Sequence, residues 1–212
     1  WTTYMNLVNQ SSTPTWAATY KAQSYPSTME AGSTAIVWAE FNNTGTGAWK
    51  HAETFLGTSS PQDRTSPFCT SYNWSGCNRP SDVDQSAVSN GQVGRFTFII
   101  TAPSSPGTYT EKYRLVREGV TWFGPEISWT INVTASTGNL SGKVTNASSG
   151  AAISGATVSV SGKGSTTTNS SGNYSFTNLT AGTYTVSASA TSFHGDSGSV
   201  TINAGATTTK NF

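Results

Sequence analysis

Between residues 138 and 212 the chain carries four charged side chains, Lys143, Lys163, Asp196 and Lys210, while apolar and small polar residues alternate almost without a break. Thr157-Val158-Ser159-Val160, Asn173-Tyr174-Ser175-Phe176 and Thr183-Tyr184-Thr185-Val186-Ser187-Ala188 each send every second side chain to one face. That is the period of a half-buried strand. A stretch so poor in charge also lacks the acids and bases that catalysis recruits, which makes this part a β-sandwich without an active site.

Composition shifts near residue 135, and the part before it is richer in aromatics and charge. The shift and the length predict two domains: a β-prone segment and linker over 1–15, one sandwich over 16–135 and a second over 136–212. A net charge of +1 with no basic run excludes a nucleic-acid partner, because phosphate binding needs clustered Lys and Arg. No apolar stretch is long enough for a membrane span. Ser and Thr make up nearly a third of the residues, so the surface is wetted by hydroxyls, which suits a secreted or cell-surface protein. Cys69 and Cys77 lie eight residues apart in a loop without other metal-ligating residue types, and they read as a disulfide staple. A zinc site would need further His or Cys ligands, and His51 and His194 fall in different domains. No cofactor or metal is expected.

The first ten residues, with Tyr4, Met5, Leu7 and Val8, have strong β character and are followed by the breaker Ser11-Ser12-Thr13-Pro14. Such a segment pairs within its own domain or crosses to the open sheet edge of a neighbour. Further strands are predicted over 35–41, 94–101, 109–116 and 126–133, the last with Ile127, Trp129, Ile131 and Val133 on one face. Asn42-Asn43-Thr44-Gly45-Thr46-Gly47 reads as a turn requiring positive φ. No segment shows a capped helical period, so the fold class is all-β, two consecutive β-sandwiches.

Phe41-Asn42-Asn43-Thr44-Gly45, Trp49, Ala102-Pro103, Pro106-Gly107-Thr108-Tyr109, Tyr113-Arg114-Leu115, Phe123-Gly124 and Trp129-Thr130-Ile131-Asn132-Val133 resemble, in that order, the immunoglobulin-like four-tryptophan domain of the next-to-BRCA1 type. The resemblance implies a non-catalytic interaction module. Tyr113 stands where that family usually has tryptophan. Gly142-Lys143-Val144, Ile153-Ser154-Gly155-Ala156, Gly172-Asn173-Tyr174-Ser175-Phe176 and Ala181-Gly182-Thr183-Tyr184 resemble the carboxypeptidase regulatory-like domain, a transthyretin-type sandwich. That likeness implies an accessory or surface module with no catalytic residues to carry over.

Among the tryptophans, Trp38, Trp49 and Trp129 lie in strands and are assigned to packing, while Trp74 and Trp122 lie in loops where an exposed ring is a candidate for glycan contact. Asp82 and Asp84 read as solvated loop charges, and Asp63-Arg64 as a buried corner in which Arg64 donates to backbone carbonyls. Neither His51 nor His194, two residues from Asp196, sits in the context of a nucleophile elbow. Asn9, Asn42, Asn73, Asn132, Asn139, Asn146, Asn169, Asn173 and Asn178 head Asn-X-Ser/Thr triplets, a modest excess over what the composition produces. These readings converge on a non-catalytic extracellular structural or adhesive protein, self-associating or bound to other extracellular proteins, a filament subunit joined by strand donation from residues 1–10. The alternative is a pair of polysaccharide-binding or spacer modules of a secreted hydrolase.

Overall fold

A computed structural model describes residues 13–71 and 74–212. It contains strands and no helix among them, and it divides into two compact units, the first ending at Val133 and the second running from Thr134 to Phe212. Tyr4, Met5, Leu7, Val8, Asn9 and Asn73 lie outside the described residues.

The first unit is a sandwich of β1 (Ala18–Ser24), β2 (Thr28–Glu30), β3 (Thr34–Asn43), β4 (Trp49–Lys50), β5 (Thr54–Thr58), β6 (Ser81–Asp82), β7 (Ala87–Val88), β8 (Val93–Thr101), β9 (Gly107–Arg117) and β10 (Thr121–Thr134). One sheet has the order β1-β3-β8, the other β2-β10-β9-β5-β6, and β4 pairs with β7. The alternation written in the sequence decides what faces inward. Val37, Ala39 and Phe41 of β3, Phe96, Phe98 and Ile100 of β8, and Ile127, Trp129, Ile131 and Val133 of β10 are buried. Trp129 is the hub: Phe98 stacks on it at 5.5 Å, Tyr25 at 4.9 Å, and Tyr113 meets it edge-on at 5.0 Å. Such pairs add about 0.5–1.5 kcal/mol each beyond the area they bury.

Two details differ from expectation. Gly45 and Gly47 do not adopt positive φ; they are glycines because a Cβ at Gly45 would stand 2.3 Å from the Thr15 carbonyl oxygen, and one at Gly47 3.2 Å from the Trp16 ring. Close approach, not turn geometry, selects them. Trp38 is out of phase with Val37 and Ala39, so it lies on the outer face of β3, where Arg95 covers its ring at 4.1 Å.

The second unit comprises β11 (Thr137–Lys143), β12 (Thr157–Val160), β13 (Gly164–Thr167), β14 (Asn173–Thr180), β15 (Gly182–Ser189), β16 (Asp196–Ile202) and β17 (Thr207–Thr209), in sheets of order β14-β11-β17 and β13-β12-β15-β16. Leu140, Val158, Val186, Val200 and Ile202 fill the space between them. The outward face of the larger sheet is made of hydroxyls in cross-strand register: Thr157 opposite Thr167 and Ser189, Ser159 opposite Ser187, Ser187 opposite Ser197. Thr183 and Thr201 share a hydrogen bond of 3.1 Å there. Gly172, at φ +76°, turns the chain into β14 with its α-carbon so placed that a Cβ would sit 2.7 Å from the Val144 carbonyl oxygen.

Candidate functional site

A strand at the border of a sheet presents unpaired N–H and C=O groups, a template for another chain unless something covers it. In the first unit the borders formed by β8, β1, β2 and β6 are guarded. The free side of β8 is capped: Thr97 donates its amide to Asp84 Oδ1 at 2.9 Å and its hydroxyl to Oδ2 at 2.7 Å. The Arg95 amide donates to Gln85 Oε1, the Asp84 amide to the Arg95 carbonyl, and the Thr101 amide to the Phe68 carbonyl. The indole N–H of Trp74 donates to the Ile99 carbonyl at 2.7 Å. β1 carries a bulge at Lys21, which pairs with Glu40, and β10 carries a bulge containing Pro125. Bulge, lysine and proline are all barriers to strand addition. β2 and β6 are only three and two residues long.

The second unit is guarded on one side. β17 has three residues. Along β16 the Ser197 amide is met by Asp196 Oδ1 and the Thr201 carbonyl by the Thr208 hydroxyl, and the ammonium of Lys210 lies beneath Gly198. The other side, formed by β13 and β14, differs. Asn169 takes both groups of Asn173: its Oδ1 accepts from the Asn173 amide and its amide donates to the Asn173 carbonyl. Beyond that cap, the ladder to β11 runs through Tyr174 and Phe176, because the alternate residues of β11, Ser141 and Lys143, turn their carbonyls to the opposite neighbour. Ser175 and Thr177 therefore point their main-chain groups outward, and among the described residues nothing meets them. β13 is equally bare at Ser165 and Thr167. Neither strand contains proline, lysine or any charged residue; β14 does carry a bulge, the extra residue falling at Thr177–Asn178 opposite Asn139, with Asn178 at φ +56°.

The sequence candidates fall into place around these edges. Cys69 and Cys77 form a disulfide; the loop they close contains the β8 cap Trp74, and the other cap, Phe68, directly precedes it. Trp74 is packed against the core, edge-on to Phe98 at 5.8 Å, because its N–H serves the Ile99 carbonyl; it is not the exposed loop ring expected. Trp122 lies on β10, paired opposite Val116 of β9 and not in a loop as expected, and is half-buried, with the Arg79 guanidinium 5.1 Å over its ring and Gly57 so close on β5 that a Cβ would approach the ring within 2.5 Å. The structure does not bring these two rings into one platform. Asp82 and Asp84 diverge: Asp82 accepts from the Ala52 amide and lies 3.1 Å from His51, whereas Asp84 caps Thr97. His194 and Asp196 are both exposed, and Asp196 is taken by Ser197. Among the described residues no group of three His, Cys, Asp or Glu side chains could hold a metal ion.

Arg64 does donate to backbone carbonyls, those of Ser59 and Lys112, as its sequence context suggested. It also pairs at 3.0 Å with Glu111, a carboxylate buried in the first unit that further accepts from Ser66 at 2.7 Å and Tyr113 at 3.2 Å. Burial, reinforced by the Glu111 charge, pushes the Tyr113 phenol well above its ordinary pKa. Of the Asn-X-Ser/Thr sites, Asn132, Asn169, Asn173 and Asn178 are exposed. Asn42 donates to the Thr19 hydroxyl, Asn139 accepts from the Asn178 amide, and Asn146 accepts from the amides of Ser148 and Ser149.

No curated protein matches the chain in sequence. Solved structures similar to it include the TIE protein of Bacillus anthracis, at 11% identity and a TM-score of 0.49 over 94% of this chain and 40% of that one. The chain thus spans less than half the length of that protein. The major pilin subunit of Bacillus cereus is similar at 9% identity and a TM-score of 0.32, over 94% of this chain and 69% of the pilin. The group B streptococcus pilus 2b backbone protein is similar at 12% identity and a TM-score of 0.34, over 92% and 96%. Residues 139–212 match the carboxypeptidase regulatory-like domain, and residues 25–133, more than half of the chain, match the Ig-like domain from next to BRCA1 gene. The guarded first sandwich with its tryptophan-centred core is that Ig-like domain, and the chain belongs to its family, joined here to a carboxypeptidase regulatory-like domain.

Proposed function

We propose that this chain is a non-catalytic extracellular structural subunit that self-associates, its N-terminal segment adding as a strand to an open sheet edge of the next copy. One observation carries the reading: the charge-free neighbouring edges β13 and β14 leave the main-chain groups of Ser165, Thr167, Ser175 and Thr177 without a cap among the described residues, whereas β8 and β16 are capped by side chains. A chain with such a border and a separate β-prone segment has both halves of a strand-addition joint. The disulfide between Cys69 and Cys77 supports an oxidising, extracellular setting. Both matched families support a holding or spacing role without chemistry.

The test is the assembly state of the chain with and without residues 1–12, followed by sedimentation velocity and electron microscopy. Polymers from the intact chain and monomers with native circular dichroism from the shortened one are expected. Equal assembly by both would remove strand donation.

A further inference from the structure

Resting on the strand-donation reading, we infer that the acceptor is the outer edge of β14, where residues 3–8 of a second copy add beside Ser175 and Thr177. Four borders of the second unit are available in principle: β13, β14, β16 and β17. β17, of three residues, is too short for a stable ladder. On β16 a new strand would meet the Asp196 and Thr208 caps and would cover the ammonium of Lys210, whose nitrogen would lie 2.8 Å from a Cβ at Gly198. Burying that cation without a counter-charge is unfavourable. β13 has four residues; β14 has eight, interrupted by the bulge at Thr177–Asn178. At about 3.3 Å per residue the run Asn173–Thr177 before the bulge is about 17 Å long against about 13 Å for β13, so the centre of the six-residue segment pairs there and its ends overhang; of the two edges only β14 sets an aromatic ring, Phe176, beside the incoming strand.

The chemistry of the two partners agrees. Ser175 and Thr177 offer two amides and two carbonyls to the incoming main chain, and the inward side of β14 carries Phe176, a ring only partly covered by the core. In an extended segment Thr3, Met5 and Leu7 share one face and Tyr4, Asn6 and Val8 the other, so either face brings apolar groups to Phe176. The side chains of residues 1–10 carry no charge, and β14 has none to oppose. Main-chain pairing supplies the affinity and the partly covered ring the register. Asn173 and Asn178, which head glycosylation triplets, stand at the two ends of the same stretch. A glycan there would occupy the acceptor, so assembly and modification at these positions exclude one another on a given copy.

The experiment combines a block and a crosslink in the full chain. Ser175→Pro removes an outward amide while leaving the Tyr174 and Phe176 pairs with β11 in place. It is expected to raise the concentration needed for assembly at least tenfold, with circular dichroism unchanged. The described cysteines are both in the disulfide, so Asn6→Cys with Thr177→Cys supplies a thiol pair for a short bis-maleimide. Crosslinked dimers and higher ladders are expected. If Ser175→Pro assembles like the parent, or the crosslink closes only within single chains, while removal of residues 1–12 still abolishes assembly, the acceptor assignment is wrong and the donation reading stands. If removal of residues 1–12 leaves assembly intact, both fall. Native polymers carrying glycans on Asn173 or Asn178 of every copy would also overturn the assignment.

Discussion

Replacing Arg64 by methionine should destabilise the first unit far more than the loss of a surface ion pair would. Arg64 is held at 3.0 Å from Glu111, whose side chain is 2% exposed. Taking the arginine away leaves a buried carboxylate with two hydroxyl donors, Ser66 and Tyr113, and no cation. Breaking such a pair on one side costs about 3–5 kcal/mol, and the surviving donors place the expected loss at about 3 kcal/mol. For a unit of this size that is a fall in Tm of about 10 °C. Guanidinium unfolding followed by tryptophan fluorescence reads the effect cleanly, because all seven tryptophans precede residue 134 and the second unit is silent. Arg64→Met combined with Glu111→Gln keeps an acceptor for both hydroxyls but removes the orphaned charge. The double variant should recover at least half of the loss, so the coupling is about 1.5 kcal/mol, or more by the amount that Glu111→Gln costs alone. A single-variant loss below about 1 kcal/mol, the range of exposed pairs, would refute the reasoning, as would strict additivity of the two changes.

Other expectations follow from the same physics. Replacing Cys69 and Cys77 by serine opens a loop of sequence separation 8, which on the chain-entropy account lowers stability by about 2–3 kcal/mol in the same fluorescence assay. It should also loosen the caps on β8, so amide exchange at Ile99 and Thr101 should accelerate more than at Phe96. Burial raises the Tyr174 phenol to about 12, against about 10 in an unfolded chain. The folded state favours the neutral form, so this stabilisation is complete below pH 10 and is lost as pH rises from 10 to about 12. Tyr174→Phe should therefore flatten the alkaline decline in stability of the second unit, followed by circular dichroism; an unchanged slope would contradict the assignment.

Which parts of this structure can be read from the chain depends on the range of the interactions that make them. The two sandwiches and their main strands follow from alternation, a local property, and the predicted runs 35–41, 94–101, 109–116 and 126–133 lie inside β3, β8, β9 and β10. Glu111 was legible by the same rule, since Tyr109, Glu111, Tyr113 and Leu115 share a face, yet a lone glutamate in a strand reads as a surface charge until its arginine is found. The caps were not legible. Asp84, Trp74 and Asn169 acquire their roles only once the pairing of distant strands has made β8 and β14 borders. β14 and β15 have the same hydroxyl-rich pattern, but one is an edge and the other central, and only sheet order separates them. The loop position of Trp74 suggested exposure because loops usually lie outside; here the disulfide folds the loop back onto a strand.

A chain-termination experiment tests the central claim most directly. A copy lacking residues 1–12 keeps β14 and can receive a strand but has none to give, so each one incorporated should end a polymer. Mixing it into the intact protein and measuring length by electron microscopy should give filaments that shorten in proportion to the fraction added. Filaments of unaltered length at an excess of the shortened copy would mean that the subunits are not joined through that segment.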